Sequence, residues 1–96
     1  MLDLSSNRLI DTIPTEVAEM QSLRSISLYD NEFIGTMPGE FGEIENLREL
    51  NLGKNKLKGE MPSTLSQLTN LRALSLERNQ FHGTIPNLQY LENLGK

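Results

Sequence analysis

The sequence predicts an α/β solenoid, a stack of short coils with a parallel sheet on one side and short helices on the other. Three observations carry this prediction. Asn7, Asn31, Asn55 and Asn79 recur every 24 residues, and Pro14, Pro38, Pro62 and Pro86 keep the same interval. Leu4, Leu28, Leu52 and Leu76 follow the same beat, as do Leu9, Phe33, Leu57 and Phe81 at a second apolar position. Within a unit the apolar spacing changes from two, at Ile26-Ser27-Leu28, to three after the proline. Self-similarity of this kind means that each unit buries its apolar face against its neighbours rather than within itself. The boundaries follow as a partial first coil over 1–22, then 23–46, 47–70 and 71–93, in one array over 1–96.

Each unit reads in the same order. The alternation Ile26-Ser27-Leu28 is that of a half-buried strand. Asn31 follows three residues after the last strand leucine, where the chain must bend. A column of Asn7, Asn31, Asn55 and Asn79 can form a ladder, each amide donating and accepting hydrogen bonds to backbone that the bend would otherwise bury unpaired. Next comes Phe33-Ile-Gly35-Thr-Met37-Pro38, matched by Leu57-Lys-Gly59-Glu-Met61-Pro62 and Phe81-His-Gly83-Thr-Ile85-Pro86. Glycine there suits a positive φ, and the first coil substitutes Asp11, which tolerates that region better than most residues. Beyond the proline, the series Val17, Met20, Leu23, then Phe41, Ile44, Leu47, then Leu65, Leu68, Leu71 predicts a 3₁₀ or short α segment. The proline is expected at the first helical position, with Glu16 and Glu40 complementing the helix start.

The ends are irregular. Met1-Leu2-Asp3-Leu4 matches Ser25-Ile26-Ser27-Leu28, so the chain opens in mid-unit. Leu2, Leu4, Leu9, Ile13, Val17 and Met20 are expected to lack a shield on their outer side, which predicts marginal stability for the isolated chain. Leu88, Leu91 and Leu94 fall one residue out of phase with earlier coils, and Leu94-Gly95-Lys96 resembles the opening of a fifth strand. Tyr90 is expected to cover the last coil. The expectation is an excerpt of a longer array without end caps.

Composition narrows the function. Nine Lys and Arg stand against 13 Asp and Glu, for a net charge of −4. That balance disfavours nucleic acid and anionic membrane surfaces as partners. Without cysteine there is no disulfide, thiolate nucleophile or cysteine metal site. No run of 18 apolar residues predicts membrane insertion by this segment. His82 is the lone histidine and lacks the sequence partners that metal ligation or base catalysis requires. No phosphate-binding loop and no nucleophile with a recognisable base occur, so no cofactor, metal or catalytic residue is expected, and the chain is not read as an enzyme.

The stretch Leu47-Arg-Glu-Leu50-Asn-Leu52-Gly-Lys-Asn55-Lys-Leu57-Lys-Gly59-Glu-Met61-Pro62 resembles the plant-type leucine-rich repeat, LxxLxLxxNxLxGxIP. The likeness extends over almost the whole chain, with Asp11 for Gly, Met37 and Met61 for Ile, and a one-residue deletion after Pro86 as departures. The resemblance implies a curved right-handed superhelix with its strands on the concave face and its short helices on the convex side. It also implies an extracellular or cell-surface recognition module, as in the ectodomains of receptor-like kinases and receptor-like proteins.

On that reading, strand side chains not committed to the core form the binding face. Asp3, Ser27, Asn51 and Ser75 make a polar row suited to an extended peptide. Arg24, Arg48 and Arg72 make a like-charge column, fitted to an acidic peptide or carboxyl terminus, or else a solvated edge balanced by Glu45, Glu49 and Glu92. Asp30 with Lys54, and Glu32 with Lys56, are expected to pair across coils. Tyr29 is the one aromatic residue of this face, either a ligand anchor or a cover for neighbouring strands. Glu49, Asp30 and Glu77 complete the candidate set. Glu16, Glu19, Glu40, Glu43 and Glu45 lie on the helix side. The expected partner is a protein or peptide. Two alternatives stay open: part of a receptor kinase ectodomain whose catalysis lies outside this chain, and a structural spacer with no private ligand.

Overall fold

The structure, a computed structural model, describes residues 1–83. Expectations for Ile85, Pro86, Leu88, Tyr90, Leu91, Glu92 and Leu94 lie outside the described residues. In chain order the elements are β1 (Leu2–Asp3), β2 (Ile10–Thr12), a first 3₁₀ helix (Thr15–Glu19), β3 (Ser25–Ser27) and β4 (Glu32–Ile34). They continue with a second 3₁₀ helix (Gly39–Glu43), β5 (Glu49–Asn51), β6 (Lys58–Gly59), a third 3₁₀ helix (Ser63–Gln67), β7 (Ala73–Ser75) and β8 (Gln80–Phe81). This is the predicted solenoid.

Strands β1, β3, β5 and β7 form a four-stranded parallel sheet in that order. Leu2 pairs with Ile26, Ile26 with Leu50, and Leu50 with Leu74, one whole repeat per strand. Alternation then sets the two faces. Ile26, Leu28, Leu50 and Leu52 are fully buried, while Ser25, Ser27 and Asn51 stay half-exposed on the other face.

The extended piece between asparagine and proline pairs as well. β2 pairs in parallel with β4, and β6 with β8. Lys56 and Lys58 N–H groups donate to the Phe33 and Gly35 carbonyls at 2.8 Å, which ties β4 to the coil that follows. Here the register differs. Ile10 faces Glu32 and Lys58 faces Gln80, so the offset is two residues short of the 24-residue separation of equivalent positions. Single-file stacking of equivalent side chains therefore holds in the four-stranded sheet and fails in this second layer. A slip of two preserves which face each side chain occupies, whereas a slip of one would invert it. The core thus tolerates the shear, and Phe33 remains buried.

All three helices are 3₁₀, and the period of three explains why. Ile44 N–H bonds the Phe41 carbonyl and Leu47 N–H bonds that of Ile44, so the apolar spacing equals the hydrogen-bond spacing. Phe41, Ile44 and Leu47 are all fully buried. The prolines sit one place earlier than expected. Pro14, Pro38 and Pro62 are extended, with ψ of 130°, 130° and 140°, and cap their helices rather than beginning them. Their carbonyls accept the first helical bonds, from Val17, Phe41 and Leu65. Fixed φ and a missing N–H suit that entry position equally well.

Two backbone columns are left-handed. Asp11 has φ +78°, beside +83°, +84° and +85° at Gly35, Gly59 and Gly83. The second column has no glycine at all: Ser6, Asp30, Lys54 and Arg78 have φ between 56° and 60°. Ser6, Asp30 and Lys54 N–H groups donate to the carbonyls of Tyr29, Gly53 and Glu77 in the next coil. Those cross-coil bonds hold a conformation the side chains disfavour.

The first coil is partly bare, but not at every position expected. Leu4, Ile10 and Met20 are 37%, 70% and 50% exposed. Ile13 and Val17, by contrast, are buried. Both pack into the core cluster, where Phe33 and Phe41 of the second coil also lie. An apolar notch of about 240 Å³ opens at this end between Leu4, Leu9, Ile10, Val17, Leu28 and Phe33.

Candidate binding face

The asparagines fix the platform on which the concave face is built. Asn55 Nδ2 donates to the Leu28, Leu52 and Gly53 carbonyls at 2.9, 3.1 and 3.1 Å. Its Oδ1 accepts the Phe33 N–H at 3.2 Å. Asn31 makes the equivalent set, accepting from Asn7 and Leu9 N–H and donating to the Leu4 and Leu28 carbonyls. Asn79 repeats it one coil later with Leu57, Leu52 and Leu76. Asn31 and Asn55 are buried polar groups fully engaged in this way. The Asn7 side chain donates only within its own coil, to the Leu4 and Ser5 carbonyls.

On this platform the strand side chains stand in columns about 4.8 Å apart. Asp3, Ser27, Asn51 and Ser75 form one such file, paired in register. Two of the four are already occupied. Asp3 Oδ1 accepts the Ser5 N–H at 3.0 Å and the Ser5 hydroxyl at 2.6 Å. The hydroxyl bond first, and the N–H bond second, hold the Asp3 carboxyl below the usual aspartate value. Asn51 Oδ1 accepts the Gly53 N–H at 3.0 Å, which leaves its amide donors directed to the face. Ser27 lies between them and Ser75 beyond Asn51.

The arginines line up through their backbones. Arg48 N–H donates to the Arg24 carbonyl and Arg72 N–H to that of Arg48, both at 2.7 Å. No arginine of the column forms an ion pair with Glu45 or Glu49 among the described residues. Among the described residues the ion pairs are Lys54 with Asp30 and Lys56 with Glu32, each at 3.5 Å. Glu49 accepts a bond from the Ser25 hydroxyl at 3.5 Å instead. Glu92 lies outside the described residues. Asp30 is also bonded by the Ser6 hydroxyl at 3.1 Å, so one carboxylate joins three coils. Such exposed pairs contribute little to stability.

Tyr29 is half-buried, and its ring lies over the next coil. A Cβ placed on Gly53 would stand 3.2 Å from Tyr29 Cδ2 and 2.7 Å from Glu77 Oε1. Tyr29 and Glu77, two coils apart, therefore lean over the same backbone from opposite sides. Gly53 was legible as a member of the face but not as the gap that lets these two converge. The signal is the column Ser5, Tyr29, Gly53, Glu77, in which the one residue without a side chain lies between the two largest.

The opposite side of the coils is acidic and polar. A shallow depression of about 660 Å³ lies there, with Glu43, Glu45, Gln67 and Asn70 on its walls. No group of three or more potential metal-ligating side chains gathers among the described residues. No helix among them is long and apolar enough to cross a membrane.

Comparison with known proteins agrees with this geometry. The leucine rich repeat family model matches residues 1–57 and 36–81. A chain of the BIR3–SERK2 complex from Arabidopsis thaliana is similar at 40% identity and a TM-score of 0.87, covering 92% of this chain and 47% of that one. A chain from the Arabidopsis receptor kinase HAESA in complex with the peptide hormone IDA and the co-receptor SERK1 is 35% identical, with a TM-score of 0.92, over 97% of this chain and 16% of that one. The ectodomain of the Arabidopsis thaliana receptor kinase SOBIR1 gives 30% identity and 0.88 over 94% and 49%. The chain thus spans about half or less of the structures it matches. Curated proteins give no match. Repeat spacing, asparagine ladder, parallel sheet and these likenesses agree: the chain belongs to the leucine-rich repeat family.

Proposed function

We propose that this array is a protein- or peptide-recognition module that works through the concave face of its four-stranded sheet. The observation that supports the reading is the in-register parallel pairing of that sheet, Ser25 with Glu49 and Glu49 with Ala73, Ser27 with Asn51 and Asn51 with Ser75. A partner in extended conformation meets a preformed surface there and loses little to ordering of the receptor. The candidate contacts are Arg24, Ser27, Tyr29, Asp30, Arg48, Glu49, Asn51, Arg72, Ser75 and Glu77. Likeness to chains solved with a peptide hormone or a co-receptor supports this choice of partner class. No catalytic step is assigned to the chain. A second reading, part of a receptor kinase ectodomain with catalysis elsewhere, is favoured by the receptor kinases among the similar structures; it shares the same binding face.

The test selects peptides from a random displayed library on the wild-type chain, then measures them against the double variant Tyr29→Ala, Arg48→Ala. Loss of affinity by about tenfold or more is expected, since aromatic and arginine anchors dominate interfaces. Unchanged affinity would remove the concave face as the site and leave the structural spacer reading.

A further inference from the structure

We propose that Gly42 is a positioning residue for the concave face: its missing side chain lets the third coil close on the second along the helix side, which levels the junction of β3 with β5. The consequence for a bound peptide rests on the recognition reading above. Gly42 is buried in the second 3₁₀ helix. A Cβ placed on it would stand 2.5 Å from the Thr64 carbonyl oxygen and 2.7 Å from Thr64 Cβ. Ordinary contact needs about 3.5 Å, so the third helix already occupies the space that a side chain would take. Backbone fills it, not the movable end of a long side chain.

Two side-chain bonds close the same seam. The Thr64 hydroxyl donates to the Gly39 carbonyl at 2.7 Å, and Asn70 Nδ2 donates to the Glu45 carbonyl at 3.0 Å. The preceding seam lacks all three features. Ala18 stands in the place of Gly42 and is buried with its methyl group. Glu40 replaces Thr64, and a carboxylate has no proton to donate. Asn46, the counterpart of Asn70, makes no side-chain bond to the first coil among the described residues. Accordingly, the second and third helices approach each other more closely than the first and second. On the opposite side, sheet hydrogen bonds hold neighbouring strands about 4.8 Å apart at both seams. With the strand side fixed, the angle between coils follows from how closely their helices approach. The array therefore bends less between its second and third coils than between its first and second. Ser27 stands on one side of this flatter junction and Asn51 on the other, paired in register. A partner in extended conformation can cross it and keep contact with both strands without bending.

The test makes Gly42→Ala in the whole chain and reads two quantities in the folded protein. Residual dipolar couplings give the orientation of the second coil relative to the third. Displacing the third helix by about 1 Å, at about 10 Å from the sheet, is expected to turn that coil by about 6°. Library-selected peptides that shift the amides of both Ser27 and Asn51 are expected to lose about three- to tenfold in affinity, the worth of one displaced hydrogen bond. Peptides confined to β5 and β7 should keep theirs. Thr64→Val removes the seam bond without a clash. It is expected to move both quantities the same way by less, so it carries the test if Gly42→Ala does not fold. The reverse exchange, Ala18→Gly with Glu40→Thr, is expected to draw the first helix toward the second. Unchanged couplings and affinity in the folded variants, even with a lower urea midpoint, would make Gly42 a packing residue and overturn the proposal. Turned coils with unchanged affinity would overturn its positioning role. Failure of the recognition reading shows differently, as unchanged affinity in the Tyr29, Arg48 double variant while the coils of Gly42→Ala are still turned.

Discussion

Asn7 and Asn55 occupy the same place in the repeat and live in different surroundings. Asn55 is buried, donates to three carbonyls and accepts from Phe33. Asn7 is exposed and donates to two carbonyls of its own coil. The leucines repeat the contrast: Leu52 is 0% exposed and Leu4 37%. Identical motif residues are thus unequal, because what each contributes depends on the coil packed before it. Solenoid stability is a sum over interfaces, and the first coil lacks one in this structure.

The sharpest way to break the comparison is to truncate both leucines. Leu52→Ala is expected to cost about 3–4 kcal/mol through lost transfer energy and a cavity. Leu4→Ala should cost about 1 kcal/mol, since much of its surface is already in water; urea unfolding of the two variants measures the gap. Next in size are the asparagines. Asn55→Ala strands the buried Phe33 N–H and should cost about 2–3 kcal/mol, whereas Asn7→Ala should cost under about 0.5 kcal/mol. Equal losses at the two sites would mean that the ladder acts within coils rather than between them. Hydrogen exchange at Phe33 gives a local reading of the same difference.

A smaller effect separates the left-handed positions. Gly59→Ala is expected to destabilise by about 1–2 kcal/mol, because its φ is +84° and its Cβ would press on Thr36 Cγ2 at 3.0 Å. Asp11→Gly in the first coil should instead gain about 0.5 kcal/mol, relief of strain outweighing one bond from Asp11 Oδ1 to the Thr12 N–H. The smallest effect is a titration. The folded Asp3 pKa lies below the unfolded value, so its stabilising contribution is complete above the unfolded pKa and disappears as pH falls through the folded one. Ser5→Ala should return the Asp3 midpoint toward the ordinary aspartate value, followed by carboxyl NMR.

What the sequence made legible is whatever repeats every 24 residues. The strand leucines, the asparagine file, the glycines at Gly35 and Gly59 and the helical period of three all recur, and each was readable from spacing. The two-residue shear of β2 against β4 was not, because a repeat length fixes which residues are equivalent and says nothing about the tilt at which their strands meet. Nor was the left-handed column at Ser6, Asp30, Lys54 and Arg78, since no glycine marks it and cross-coil hydrogen bonds impose it. The proline was displaced by one position because capping and first-turn sites make the same demand on φ. On the candidate face, the columns were readable, and so were the cross-coil pairs of Asp30 with Lys54 and Glu32 with Lys56; the other contacts were not. Glu49 and Arg48 look like a pair in sequence, yet Glu49 takes its bond from the Ser25 hydroxyl of the preceding coil. Tyr29 and Glu77 look unrelated at 48 residues apart in number, yet the absent side chain of Gly53 brings them together.

The asparagine side chains also give the array a direction. Asn55 reaches back 27 residues to the Leu28 carbonyl and accepts a hydrogen bond from the Phe33 N–H, 22 residues earlier. Every seam between coils is thus stitched from the downstream side. A chimera that grafts foreign coils after Leu52 must bring its own asparagine at the matching interval, while one that grafts ahead of Leu4 inherits a waiting amide in Asn7. Splicing with one residue too many or too few would turn each inward leucine outward.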